Sequence, residues 1–274
     1  MNRYTKAFSL ARAQKRIAFV PFGVAGDPDL ATSEKVFKAY MAGGADVLEI
    51  GYPFSDPMAD GPVNQRAAQR AIESGITPAS FFSMIKRLRA GTDIPFGLLL
   101  YANTIHHVGY DKFCRRAAQA GIDSILVADM PPEESGGLLP ALKKHNLQSV
   151  FIVSELTPAS RIRFICKNTT GFVYVVSRLG TTGVQADFSS TVRQTIARLN
   201  KMTPLPICVG FGISSPKHVA AVRNAGADGA IVGSALVKLV EQNYIRPRIM
   251  LEIIQKTVAS LCAATRNKKS RRAK

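Results

Sequence analysis

The feature that most constrains this chain is an alternation. Short, β-branched apolar runs recur from end to end, separated by stretches whose apolar residues fall at helical spacing. The runs lie at residues 18–22, 47–51, 96–100, 124–128, 150–153, 172–176, 207–209 and 229–232. The helical patterns between and after them cover residues 31–42, 80–88, 112–120, 134–144, 160–166, 188–199, 217–225 and 248–264. A strand, a helix and a further strand in succession form a crossover, which makes the sheet parallel and covers it with helices. Eight repeats of that unit are the count of a (β/α)8 TIM barrel in the α/β class, although an open doubly wound sheet uses the same units. Glycines at the ends of several helical patterns, such as Gly43, Gly121 and Gly226, mark tight returns to the next strand.

No Ser/Pro linker divides the chain, so residues 1–265 are expected to form one barrel domain, followed by a basic tail at 266–274. That tail carries six of the charges behind the net +17, with no acid among them, and the rest are dispersed. Without interleaved aromatics the tail is a poor nucleic-acid site. Near the other end, Tyr4, Phe8 and Ala11 sit at i, i+4 and i+7, the buried face of a short helix rather than a targeting segment. Apolar runs are too short to span a bilayer. Four well-separated cysteines without C-x-x-C spacing suit a reducing, cytoplasmic compartment.

In a barrel, chemistry belongs on the loops that follow the strands. Strand alternation places Leu48 and Ile50 on one face and Val47 and Glu49 on the other, so a carboxylate stands inside an apolar strand. Such a group is costly to ionise and is either salt-bridged or functional. The loop that follows is dense in proline, glycine and acid, and roughly 45 residues separate the second and third strands, so extra helical structure is expected there. Glu49 and Asp60 are therefore placed to converge as an acid/base pair, unless Asp60 serves only a turn. Late in the chain, glycine-bearing turns carry Gly183, Gly212 and Gly233-Ser234, and the last opens a helix whose N-terminal amides suit a phosphate ester. His106 and His107 are adjacent rather than helically spaced, and no metal site is expected. Walker, dinucleotide and G-x-S-x-G motifs are missing, which leaves nucleotide hydrolysis, hydride transfer and serine chemistry without support.

The segments Val20-Pro21-Phe22, Gly26-Asp27-Pro28, Leu48-Glu49-Ile50-Gly51, Pro53-Phe54-Ser55-Asp56-Pro57, Ala59-Asp60-Gly61-Pro62, Gly210-Phe211-Gly212-Ile213-Ser214 and Gly233-Ser234-Ala235 resemble the tryptophan synthase α subunit family. The resemblance implies a lyase of tryptophan biosynthesis that splits indole-3-glycerol phosphate into indole and glyceraldehyde 3-phosphate. It implies no cofactor in this subunit, and a β subunit that carries pyridoxal phosphate, receives the indole and joins it in an αββα heterotetramer. Carried over by motif, Glu49 is the general acid/base, and Asp60 stabilises positive charge at the indole nitrogen. Gly183, Gly212, Gly233 and Ser234 hold the phosphate. Phe22, Leu100, Tyr101, Leu126, Tyr174, Phe211 and Ile231 wall the indole pocket, and Thr182 engages Asp60 on loop closure. Pro53, Phe54, Asp56, Pro57 and Asn103 face the β subunit. Two positions depart from the family pattern: Val24 stands where threonine is usual, and Asn64 where an apolar residue is common. They bear on turnover, and the alternative they raise is a catalytically weakened α-like subunit that mainly activates a β subunit. The intact Glu49 and Asp60 argue against it.

Overall fold

The computed structural model describes residues 1–176, 190–210 and 212–266. Among them are nine parallel strand segments: β1 (Ala18–Val24), β2 (Leu48–Gly51), β3 (Phe96–Leu100), β4 (Ser124–Val127), β5 (Gln148–Ser149), β6 (Phe151–Ser154), β7 (Val173–Val176), β8 (Ile207–Gly210) and β9 (Gly229–Val232). They hydrogen-bond in the order β5-β4-β3-β2-β1-β9-β8-β7-β6. Only Val150 separates β5 from β6, so the ring has the eight positions expected of a TIM barrel, with the fifth strand split. The split has a local cause. The Ser149 carbonyl accepts the Thr170 and Gly171 amides at 3.1 and 3.0 Å, while the Val150 amide donates to Ile125 at 3.2 Å. At this point the chain passes from its β4 neighbour to its β7 neighbour.

Strand alternation sorts the core into two layers. Leu48, Ile50, Leu98, Leu100, Val173, Val175, Ile207 and Val209 point outward into the layer shared with the helices. Ala18, Val20, Val47, Leu126, Val150, Tyr174, Cys208 and Ile231 point into the barrel. The N-terminal helix Arg3–Ala13 closes the end where the strands begin: Tyr4, Phe8 and Ala11 are its buried residues. Both rings pack on Phe172, at 5.7 and 6.3 Å between centroids, and the Tyr4 hydroxyl meets Ser124 Oγ at 2.7 Å. Removing each such side chain from water contributes about 1.5–3 kcal/mol. The plug leaves the other end of the barrel, where the strands finish, as the open one.

The helical patterns are realised as Leu30–Ala42, Pro78–Arg89, Tyr110–Ala120, Leu138–Lys144, Ala159–Asn168, Ser190–Met202, Pro216–Asn224 and Pro247–Ala263. The fourth is shorter than its pattern, because a 3-10 turn over Pro132–Glu134 and then Gly136 and Gly137 delay the helix to Leu138. The long connection after β2 contains the expected extra helix, Pro62–Glu73. A short helix, Ala102–Val108, follows β3, and another, Ser234–Asn243, opens directly from Gly233 after β9. Of the basic tail only Arg266 is described, and it forms an antiparallel bridge with Arg16. All four cysteines are free thiols. No helix among the described residues is long and apolar enough to cross a membrane.

Candidate active site

At the open end the strand termini and their loops enclose a cavity of about 250 Å³, lined by Phe22, Glu49, Leu99, Tyr174, Ile231, Gly212, Ile213, Gly233, Ser234 and the run 60–64. Its floor follows from register. Phe22 pairs with Glu49, Glu49 with Gly97, and Gly51 with Leu99, and partners in a parallel ladder point to the same face. Glycine at 51 makes room for this arrangement, since a Cβ there would lie 2.8 Å from the Phe22 ring.

Glu49 is 4% exposed. Burial in this apolar floor, reinforced by the negative charge of Asp60, pushes its carboxyl up to about 8. Its Oε2 has no hydrogen-bond partner among the described residues. No cation compensates it there, so the salt-bridged structural reading does not describe this group. A carboxyl that holds its proton near neutral pH and shares a cavity with a second carboxylate is equipped for acid/base chemistry.

Asp60 reaches the same cavity from the loop, half-buried and held at both oxygens. Tyr101 Oη donates to its Oδ2 at 2.8 Å and Asn64 Nδ2 to its Oδ1 at 3.1 Å. The loop backbone is pinned as well, by the Ala59 amide donating to Tyr101 Oη at 3.2 Å and the Asp60 amide to Pro57 at 2.9 Å. The Tyr101 hydroxyl is in turn held well above its ordinary pKa by burial and by the Asp60 charge, so it remains a donor. Phe54 stacks on the Tyr101 ring, with centroids 5.3 Å apart.

A third part of the lining combines a glycine turn with a helix N-terminus. Gly212 has φ +74, which an L side chain rarely adopts, and Gly233 caps the helix Ser234–Asn243. That helix presents its N-terminus, and with it the positive end of its dipole, beside Ser234.

Several expected wall residues lie elsewhere. Leu100 faces the outer core, and Leu99 takes the cavity position, because the register with β2 puts Gly97 and Leu99 on the inward face. Leu126 is inward but lines a smaller void shared with Tyr4, Val47 and Phe172. Tyr101 bonds Asp60 and is not part of the lining. Phe22, Tyr174 and Ile231 are in the wall. Thr182, Gly183 and Phe211 lie outside the described residues. On the loop after β2, Pro53 and Pro57 are buried, Phe54 is half-buried and Asp56 is exposed, as is Asn103 on the helix after β3. Val24 is buried with Phe22, Ala67, Ala68, Ala71 and Val237, an apolar residue among apolar neighbours. Val63 and Ile213 also line the cavity, and Asn64, the polar departure from the family pattern, lies in the lining beside them. Helical spacing from Asp60 was the available signal for Asn64. No cluster of three or more metal-ligating side chains occurs among the described residues.

With this geometry in place, comparison with known proteins is specific. The family model for the tryptophan synthase alpha chain matches residues 8–266. The tryptophan synthase alpha chain of Methanothermobacter thermautotrophicus is 44% identical over 262 residues, which are 94% of this chain and 97% of that protein. Its Escherichia coli counterpart is 41% identical over 268 residues, 97% of this chain and all of that one. Among solved structures, tryptophan synthase subunit alpha from Legionella pneumophila superposes with a TM-score of 0.88 at 34% identity, covering 97% of this chain and 98% of that one. A chain from a Pyrococcus furiosus structure, described as the mutually activating a2b2 complex of tryptophan synthase, superposes at 0.85 with 33% identity, covering 91% and 99%.

Proposed function

The chain belongs to the tryptophan synthase alpha chain family, and from that premise we infer how its residues divide the work. The reaction is the retro-aldol cleavage of indole-3-glycerol phosphate to indole and glyceraldehyde 3-phosphate, a carbon-carbon lyase step. Indole C3 gains a proton, and the hydroxyl on the carbon attached to it loses one. The bond between the two carbons breaks, its electrons return to the ring, and the aldehyde departs. Proton gain and loss balance, so one titrating group can serve both.

Glu49 is the residue for that exchange. Holding its proton near neutral pH, it delivers it toward C3, and the carboxylate that results accepts the hydroxyl proton. Asp60 supplies the electrostatics: protonation at C3 makes the ring cationic, and a fixed carboxylate beside the ring nitrogen lowers that barrier. Phe22, Leu99, Tyr174 and Ile231 offer the apolar surface for the indole, and Gly212, Gly233 and Ser234 the phosphate cradle, with Gly183 expected to join them. The observation that carries the assignment is the convergence of Glu49, Asp60 and the Gly233-Ser234 helix terminus on one cavity from separate parts of the chain.

The mechanism requires no cofactor in this chain; pyridoxal phosphate belongs to the β partner that consumes the indole. The family assembles with β subunits, as the Pyrococcus furiosus complex does, and Pro53, Phe54, Asp56, Pro57 and Asn103 are the proposed contacts in an αββα assembly. Indole release from indole-3-glycerol phosphate by the purified chain, with and without a cognate β subunit, tests this function. Release by the chain alone, increased by the partner, is expected. Activation of a partner by a chain that itself releases no indole would favour the weakened-subunit alternative.

A further inference from the structure

Asn64 is unusual in this cavity. It sits in the first turn of the helix Pro62–Glu73, four residues after Asp60, between apolar neighbours of the lining such as Val63. Its Nδ2 donates to Asp60 Oδ1 at 3.1 Å, opposite the 2.8 Å bond from Tyr101 Oη to Oδ2. Its Oδ1 is buried and has no hydrogen-bond partner among the described residues. An amide kept for stability is satisfied at both ends, whereas a half-satisfied one is a cost to the fold that proteins retain at functional positions. A carboxylate held at one oxygen can also pivot about that bond, and a second donor fixes its plane.

We propose that Asn64 is a positioning residue for the lyase reaction, completing with Tyr101 a two-sided clamp that aims the Asp60 carboxylate at the substrate ring. The inference rests on the reading of Asp60 given above. Charge on the ring nitrogen appears only as the transition state forms, so a misaimed carboxylate lowers kcat and leaves substrate binding nearly intact.

The test is Asn64→Leu, which keeps the size and removes both polar ends. Its kcat for indole release is expected to fall by about tenfold, with KM changed by less than about twofold. Its Tm should stay level or rise, because the orphaned oxygen is gone. The same substitution in an Asp60→Asn background should cost little more than Asp60→Asn alone, since no carboxylate remains to be aimed. Unchanged kcat, an equal loss in both backgrounds, a rise in KM alone, or a fall in Tm accompanying the loss of activity would each overturn the clamp. A protein that folds but releases no indole as wild type would instead bring down the lyase reading itself. Active wild type with an indifferent Asn64→Leu removes only this proposal.

Discussion

Replacing Glu49 by Gln is expected to stabilise the protein, increasingly so as pH rises. The carboxyl ionises near 4.5 when free of the fold and at about 8 inside it. In the folded state it therefore stays protonated while the unfolded chain has already released its proton. Stability contributed by the neutral form is complete below 4.5 and is lost as pH rises toward 8. The penalty is roughly 1 kcal/mol near pH 5 and about 5 kcal/mol near pH 9, a change of about 4 kcal/mol across that window. Gln keeps the shape and cannot ionise, so the variant lacks this term, while titrating groups not coupled to Glu49 cancel in the comparison. Urea unfolding of both proteins near pH 5 and pH 9, followed by circular dichroism because the chain has no tryptophan, measures it. Stability curves that run parallel across this range would refute the claim that the floor of the cavity holds Glu49 uncharged.

Three further outcomes follow from the same geometry. Gly212→Val should weaken the substrate and inorganic phosphate together in binding assays, because φ +74 excludes a β-branched residue and the turn would have to move. Arg70→Met should cost about 3–5 kcal/mol in denaturant unfolding, since Arg70 bonds Asp27 at 2.8 Å and Glu241 at 2.9 Å and its loss strands a carboxylate that is 4% exposed. Asp56→Ala should reduce activation by a titrated β subunit more than it reduces basal indole release. Its side chain is exposed, while Phe54, two residues earlier on the same loop, stacks on the tyrosine that holds Asp60.

The barrel was legible in the sequence because each βα unit writes its own period, and Glu49 because a carboxylate in an apolar strand demands an explanation. The glycine turns at 212 and 233 were legible as turns, and both reach the lining of the cavity, where they are proposed to hold the phosphate. Leu100 shows where local reading ends. In the run 96–100 every residue but Gly97 is apolar, so no polar position marks which face looks inward, and only the pairing of Gly97 with Glu49 settles it. The split at Val150 depends on the Ser149 carbonyl being claimed by the Thr170 and Gly171 amides, a contact between segments that no window of sequence contains. The helix Ala102–Val108 has seven residues and no side-chain cap, too little for periodicity to show. The link from Asp60 to Tyr101 spans 41 positions and exists only once β3 has brought them together.

The proposed role of Glu49 is to carry the proton in carbon-carbon cleavage. Its most direct test is the rate of indole release by Glu49→Gln, measured near neutral pH beside wild type on protein shown to be folded by its own unfolding transition. The geometry calls for a variant that folds, retains phosphate binding, is at least as stable as wild type and releases essentially no indole. Near-normal turnover by that folded variant would rule out Glu49 as the proton carrier.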